Sequence, residues 1–415
     1  MKGVFVIIDG VADEKCKILS DKTPLEVAKT PNLDELARKS MIEHCYPIGE
    51  GIAPESSGAV VSLLGYDPNF APRGPLEAQG VGIKFKKGDL VLRTNFATID
   101  NLQEGNLIDS RAGRTLTTKE ARILAKAINE HVHLPYPFEI YSTVQHRGVL
   151  VIRGGFSDNI SNADPNYENG IVSKPKGKIV FSEPLDDDDD SKLSANLVNS
   201  FIRRSFEVLD KHPLNLQRAK KGLFSANFIL ARDAGNEPIK FKKLEGKWMA
   251  LGYMPLEKGI AKAAGMEVYD FKYPEMKDID VYANLYKGLE SAIKYSIKML
   301  KKYKDKYDYF YVHLKETDIP GHDNHPLDKV KMIEIIDKKF FSFLKNFIGE
   351  NRLIVTADHT TSSKLKVHTA APVPVLIYPR EKGKGEESEK RFTEADGMKG
   401  KKIMGRKLLE KNLLD

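Results

Sequence analysis

Residues Arg352–His368 read RLIVTADHTTSSKLKVH, and the fold of the whole chain turns on this stretch. Leu353-Ile354-Val355 is a short apolar, largely β-branched run, which predicts a buried strand. It leads into Asp358-His359, a carboxylate and an imidazole side by side, with His368 further on. In open α/β sheets ligands bind beyond the carboxyl ends of the strands, so other strands should end in the same way. Two do. Val4–Ile8 is a continuous apolar run closed by Asp9-Gly10, and Tyr307–His313 (YDYFYVH) is followed by Asp318 and His322. Aspartate and histidine supply oxygen and nitrogen ligands suited to divalent metals. Together the three ends offer Asp9, Asp318, His322, Asp358, His359 and His368, more than a single ion needs. They fit a two-metal site, in which paired ions clamp both oxygens of a phosphoryl transfer. Any one of these residues taken alone reads better as a turn residue or a helix cap. The joint occurrence, in order, carries the expectation.

The bulk properties bound the rest. At 415 residues the chain is long enough for two domains. A net charge of +7, spread along the sequence, suits a small anionic substrate and is too diffuse to argue for nucleic acid. Cys16 and Cys45 are the only cysteines, too few for a disulfide framework and not spaced for a structural zinc, so a cytoplasmic setting is expected. Gly3–Ile8 is too short for a signal-peptide core. No stretch approaches the roughly twenty apolar residues of a membrane span, so no membrane role is expected.

In chain order, Thr23-Pro24-Leu25-Glu26 and Pro31–Ala37 have helix-start chemistry. Gly49–Gly65 is a glycine- and proline-containing loop with Ser56-Ser57-Gly58 at its corner and a helix expected over Ala59–Leu64. A serine there is ordinarily an N-cap; a hydroxyl in that place also faces the N–H groups that bind anions. From Phe85 to Asn159 the pattern changes to strands (Leu90–Thr98, Gly148–Arg153), a helix from Thr117 to about Glu130, and arginines near turns. His131 and His133 read as structural. The run Asp186–Asp190 reads as a solvated cap to a helix over Leu193–Leu209. The α/β alternation then resumes with a helix over Leu256–Ala264, a strand over Met266–Phe271 and a long amphipathic helix over Val281–Tyr303. Arg380–Glu394 is charged and glycine-containing and reads as a loop.

Asp9-Gly10 after the first strand, Asp318-xxx-His322, Thr356-Ala357-Asp358-His359 and the later His368 resemble the alkaline phosphatase superfamily. Within it, TPLEVAKTPNLDELA (Thr23–Ala37), SLLGYDP (Ser62–Pro68), RGPLEAQGVG (Arg73–Gly82), NFATID (Asn95–Asp100) and RAGR (Arg111–Arg114) resemble the archaeal type of 2,3-bisphosphoglycerate-independent phosphoglycerate mutase. HLKETDIPGHD (His313–Asp323) and APVPVLIY (Ala371–Tyr378) are similar too. The resemblance implies an alkaline-phosphatase-like α/β metal-binding domain built from residues 1–80 and 241–415, with a smaller α+β domain, 81–240, inserted. It implies isomerase activity, the interconversion of 3-phosphoglycerate and 2-phosphoglycerate in glycolysis and gluconeogenesis, through a phosphoserine and without bisphosphoglycerate as cofactor. The nucleophile falls by its offset from Ser62 on Ser56, with Ser57 as the second choice. Many members follow this serine with an acidic residue and, a few positions later, a histidine; here Ser57 and Val60 stand in those places.

By the same resemblance Asp318, His322 and His368 hold one ion, and Asp9, Ser56, Asp358 and His359 the other. Lys258 is the family's lysine that points into the site, and Arg93, Arg111, Arg114 and Arg147 grip the substrate. Arginine forks suit a phosphorylated carboxylic acid because they bind either anion in two places at once. Carboxylate and imidazole ligands accept manganese, magnesium, zinc or cobalt. A homo-oligomer is compatible with all of this. Three other readings stand beside it: a metal-dependent phosphomonoesterase or other phosphomutase on the same scaffold, a non-catalytic metal-binding regulatory protein, and, on the mild positive charge alone, a nucleic-acid binder.

Overall fold

In the computed structural model, which describes residues 1–168, 171–172, 177–269, 271, 273–275, 281–380 and 389–414, the three strands whose ends carry the candidate ligands lie side by side. Gly3–Ile8 sits between Tyr309–Leu314 and Arg352–Thr356 and runs parallel to both. Ile8 is opposite Leu314 and Ile7 opposite Thr356, so all three chains leave the sheet at one level and on one edge. Every residue of the two strands Gly3–Ile8 and Tyr309–Leu314 is buried, as a parallel sheet covered on both faces requires.

These strands form the middle of an eight-stranded sheet, in the order Glu267–Val268, Trp248–Leu251, Tyr309–Leu314, Gly3–Ile8, Arg352–Thr356, Val373–Tyr378, Met41–Tyr46 and Lys402–Met404. Val373–Tyr378 is antiparallel to both of its neighbours. A second, five-stranded sheet is antiparallel and takes its strands only from Leu90 to Gly235: Leu107–Asp109, Leu90–Ile99, Arg147–Ile152 and Phe138–Ser142 in order, with Phe228–Gly235 also paired to Leu90–Ile99. Its inner face is covered by the helices Thr118–His131 and Asp189–Asp210, which close a separate apolar core around Phe96, Phe201 and Phe228.

One helix, Arg73–Val81, joins the two units. It packs on the second sheet at Gly74, where a β-carbon would overlap the carbonyl of Val91, and on the helix Pro255–Ala263 at Gly80 and Gly259, where a β-carbon would overlap the carbonyls of Pro255 and Leu76. Backbone therefore rides on backbone at this crossing, which only glycine permits. The consequence is functional: Glu77 of one helix and Glu257 of the other, each 1 % exposed, are brought to one interior space.

Several sequence expectations shift in detail. The helix expected from Ala59 begins at Ser56 and runs to Leu63, with Glu55 as its N-cap, so Ser56 is neither a cap nor the last non-helical residue. Ser57 to Leu63 are all buried, and winding the helix from Ser56 pairs backbone that burial would otherwise strand, Ala59 N–H donating to the Glu55 carbonyl at 3.0 Å. The aspartate run does not precede its helix but enters it: Asp188 is the N-cap, and Asp189 and Asp190 occupy the first turn, where the helix dipole favours acids. Of the strand expected over Met266–Phe271, only Glu267–Val268 pairs among the described residues, since it has a single short neighbour, Trp248–Leu251, at the sheet edge. His131 ends its helix, and both it and His133 are exposed. Residues 381–388 of the expected loop lie outside the described residues; its last residue, Glu394, opens the helix Glu394–Met398. No helix among the described residues is long and apolar enough to cross a membrane.

Glu394 ties this C-terminal helix to the segment that follows the N-terminal strand, accepting from Asp13 N–H (2.9 Å) and from Thr23 Oγ (2.7 Å), the cap of the helix Pro24–Val27. Burial raises its carboxyl to about 7, against the hydrogen bonds that lower it. A raised folded-state value means stability that is fully present below about 4.5 and is lost as pH rises through about 7. Glu394→Gln should remove this slope. Between pH 5 and 8 the wild type is expected to lose on the order of 2–3 kcal/mol relative to the variant in denaturant titrations. Parallel pH profiles for the two proteins would show that Glu394 does not titrate in this window.

Candidate active site

Asp9 follows its strand directly, and Gly10 turns the chain there with φ of 53°. A side chain at that position would overlap Thr361 Oγ, and the free approach lets Gly10 N–H donate to Asp358 Oδ1 at 3.0 Å. Asp9, Asp358 and His359 converge so that their ligand atoms lie within 4.8 Å of one another. His359 Nε2 is 3.3 Å from Asp9 Oδ1, 3.4 Å from Asp358 Oδ2 and 3.1 Å from Ser56 Oγ. Asp318, His359 and His368 form a second such group. His322 completes it, with Nε2 at 3.4 Å from Asp318 Oδ2 and 3.2 Å from His368 Nε2. His359 thus reaches both groups rather than one.

The hydrogen bonds behind these rings decide which nitrogen is free. His322 Nδ1 faces the carbonyl of Lys366 at 2.9 Å and His368 Nδ1 the carbonyl of Pro54 at 2.8 Å, so both must carry the proton on Nδ1. Thr361 donates its hydroxyl proton to Asp318 Oδ1 at 2.8 Å, so its oxygen accepts from His359 Nδ1 at 2.9 Å. All three imidazoles therefore turn an Nε2 lone pair into the site, the arrangement that metal-binding histidines use. Two lone pairs 3.2 Å apart, and a buried Asp358 Oδ2 with no hydrogen-bond partner among the described residues, call for cations. The donor set fits divalent metal ions.

Charge follows geometry. Burial alone would raise the Asp358 carboxyl, but the Lys315 ammonium and the Gly10 N–H act against it and hold it below its usual range. Burial lowers His359, and burial with the neighbouring His359 lowers His368, so these imidazoles stay neutral and available as ligands at neutral pH.

Beyond the ligands lies a cavity of about 150 Å³ between the two sheets. Ser56 lines it, with Asp318, His322 and His368. Arg93, Arg111, Arg114 and Arg147 line its other side, all from the insert. Ser57 does not: it lines a different cleft with Ile48, Phe70 and Leu185. Lys258 is half-buried on the helix Pro255–Ala263 and is not among the lining side chains, whereas its neighbour Glu257 is. Burial pulls Arg93 down to about 9 and Arg147 to about 10, against the attraction of Glu77. Cations held this way gain by meeting an anion.

Sequence reasoning passed over Arg73, Arg232, Lys315, Glu257 and His313, all at or beside the cavity. Arg232 is 1 % exposed, lies opposite Arg93 in the strand pair, and binds Glu55, the residue before Ser56, at 2.6 Å. A signal was present: Arg93 and Arg232 are charges inside apolar strands (LVLRTNF, FILARDAG), which burial tolerates only with a partner. Arg114 donates twice to Asp323, at 2.7 and 2.6 Å, and so fastens the insert to the short helix that carries Asp318 and His322.

The comparisons with known proteins agree with this geometry. The family model described as 2,3-bisphosphoglycerate-independent phosphoglycerate mutase matches residues 37–215. A protein of that name from Aeropyrum pernix is 37 % identical over 400 residues, covering 91 % of this chain and 90 % of its own. A Pyrococcus horikoshii protein of known structure superposes with a TM-score of 0.72 at 29 % identity, covering 99 % of this chain and 96 % of its own. The cofactor-independent phosphoglycerate mutase from Thermoplasma acidophilum superposes with a TM-score of 0.55 at 28 % identity, covering 99 % and 98 %. With strand ends, histidine tautomers and cavity already in place, this identity over nine-tenths of the sequence puts the chain among the 2,3-bisphosphoglycerate-independent phosphoglycerate mutases, a family of isomerases.

Proposed function

We propose that the chain interconverts 3-phosphoglycerate and 2-phosphoglycerate through a phosphoserine on Ser56. The observation that carries this is the position of Ser56 Oγ. It touches His359 Nε2 at 3.1 Å, beside both ligand groups, and opens into the same cavity as the insert's arginines. Asp318, His322 and His368 would hold one divalent ion, and Asp9, Asp358, His359 and Ser56 the other; when bound, such ions lower the pKa of the serine hydroxyl and offset the phosphoryl charge.

Ser56 Oγ attacks phosphorus, the bond from phosphorus to the 3-oxygen of glycerate breaks, the proton lost by Oγ is matched by one taken up on that 3-oxygen, and the displaced glycerate remains between the arginines. After the glycerate turns, its 2-oxygen attacks the phosphoserine and frees Ser56. No water is consumed. Arg93, Arg111 and Arg147, which line the cavity, hold the anion through this interval. The hydrolytic alternative differs in taking up water at that stage. Purified protein with Mn²⁺ and 3-phosphoglycerate should form 2-phosphoglycerate with little free phosphate. Phosphate as the main product would make it a phosphatase.

The arginines give a sharper test. Arg114→Lys keeps the charge but is shorter and lacks the rigid planar guanidinium that sets Nη1 between both Asp323 oxygens, so the join between the two units loosens. A loss of at least about tenfold in kcat/KM is expected, matching about 1.4 kcal/mol. Arg111→Lys should cost a comparable factor through KM if Arg111 grips the substrate directly. Wild-type kinetics in both variants would return these residues to surface charge.

A further inference from the structure

Asp9 faces two neighbourhoods. On one side are Asp358 and His359; on the other are Glu257 and His313, whose ligand atoms lie with that of Asp9 within 4.8 Å of one another. The reaction described above makes no use of Glu257 or His313. It is fully interior: Asp9 and Glu257 are 1 % exposed and His313 is 0 % exposed. Glu257 Oε2 and His313 Nε2 have no hydrogen-bond partner among the described residues, and His313 Nε2 is 3.5 Å from Asp9 Oδ2. Two buried carboxylates side by side demand a counter-charge.

One is supplied by the chain. Lys315 Nζ lies 3.0 Å from Glu257 Oε1 and contacts Asp9 Oδ2. The root of that side chain is anchored, because Lys315 N–H meets Tyr253 Oη at 2.9 Å and Glu316 Oε2 at 3.2 Å. An ammonium on a fixed stem is a compact point charge with three donors, able to serve two carboxylates together.

We propose that Asp9, Glu257 and His313 form a third cation site, adjoining the two-metal site through Asp9, whose resident cation is the Lys315 ammonium. Two carboxylates and an imidazole are also a donor set for magnesium or manganese. Removing the stem therefore converts a site for a tethered single charge into one for a divalent ion. Through Asp9, the charge placed there sets how strongly that carboxylate holds the ion next to Ser56. This inference rests on the reading of Asp9 as a shared ligand.

The test counts metal. Wild-type chain, Lys315→Ala and Lys315→Ala/Glu257→Gln are stripped with chelator, dialysed against Mn²⁺ and analysed for bound manganese per chain. Lys315→Ala is expected to bind one more ion than the wild type, and the double variant to return to the wild-type count. Mn²⁺ should also raise the melting temperature of Lys315→Ala more than that of the wild type. Equal counts in folded wild type and Lys315→Ala overturn the proposal. So does a wild type whose own count drops by one on Glu257→Gln, since a metal and not the ammonium then fills the site. If Lys315→Ala is unfolded without metal, refolding on Mn²⁺ that Glu257→Gln prevents supports the site, and no refolding overturns it. A wild type that takes up no Mn²⁺ fails the two-metal reading instead; a Glu257-dependent ion gained by Lys315→Ala would still carry the third site.

Discussion

Replacing Ser56 by alanine is expected to abolish mutase activity, by about 10⁴-fold or more, because the group that receives the phosphoryl is gone. The fold should survive, since the helix keeps its Glu55 cap and gains a good helix former. Ser57→Ala separates the two candidates. Ser57 is 5 % exposed and lines the cleft on the other side of the helix, so its loss should leave activity within about tenfold of wild type. Rapid quenching with labelled 3-phosphoglycerate, followed by peptide mapping, should find the label on Ser56. Label on Ser57 would mean that the helix start shifts when substrate binds.

The second large effect concerns the ions. Exhaustive chelation should eliminate activity, and a divalent ion should restore it. Asp358→Asn should lower turnover on the order of 10³-fold, since a neutral amide is a poorer ligand and supplies no charge against the ion. Stability offers an independent readout. Binding to the folded state alone stabilises by mass action, so chelation should lower the melting temperature of the wild type more than that of Asp358→Asn. A variant that matches the wild type in activity and in its response to chelator would remove Asp358 from the ligand set. Acid should oppose binding: His359 and His368 are lowered from 6.5, mainly by burial, so the unfolded chain takes protons first, and stability from the neutral imidazoles is lost as pH falls below that value.

What could be read along the chain was whatever depends on neighbours in sequence. Three apolar runs with aspartate and histidine at their ends reveal buried parallel strands and a ligand-bearing edge, because full burial and strand direction leave their mark residue by residue. Thr23 with Glu26 and Thr117 with Glu120 form reciprocal caps for the same local reason. The six ligand candidates needed only the strands to lie in register, and the register brings them together. Tertiary structure alone decided the rest. Ser56 and Ser57 are adjacent in sequence and face different clefts, a distinction set by where the helix begins and by what packs on each side. Arg114 is spoken for by Asp323, Arg232 by Glu55, and Lys315 by Asp9 and Glu257, across separations no pattern of spacing records. A long charged side chain can satisfy its burial with any anion the fold delivers, so its partner is chosen by the packing of two sheets around the glycine crossing at Gly80 and Gly259.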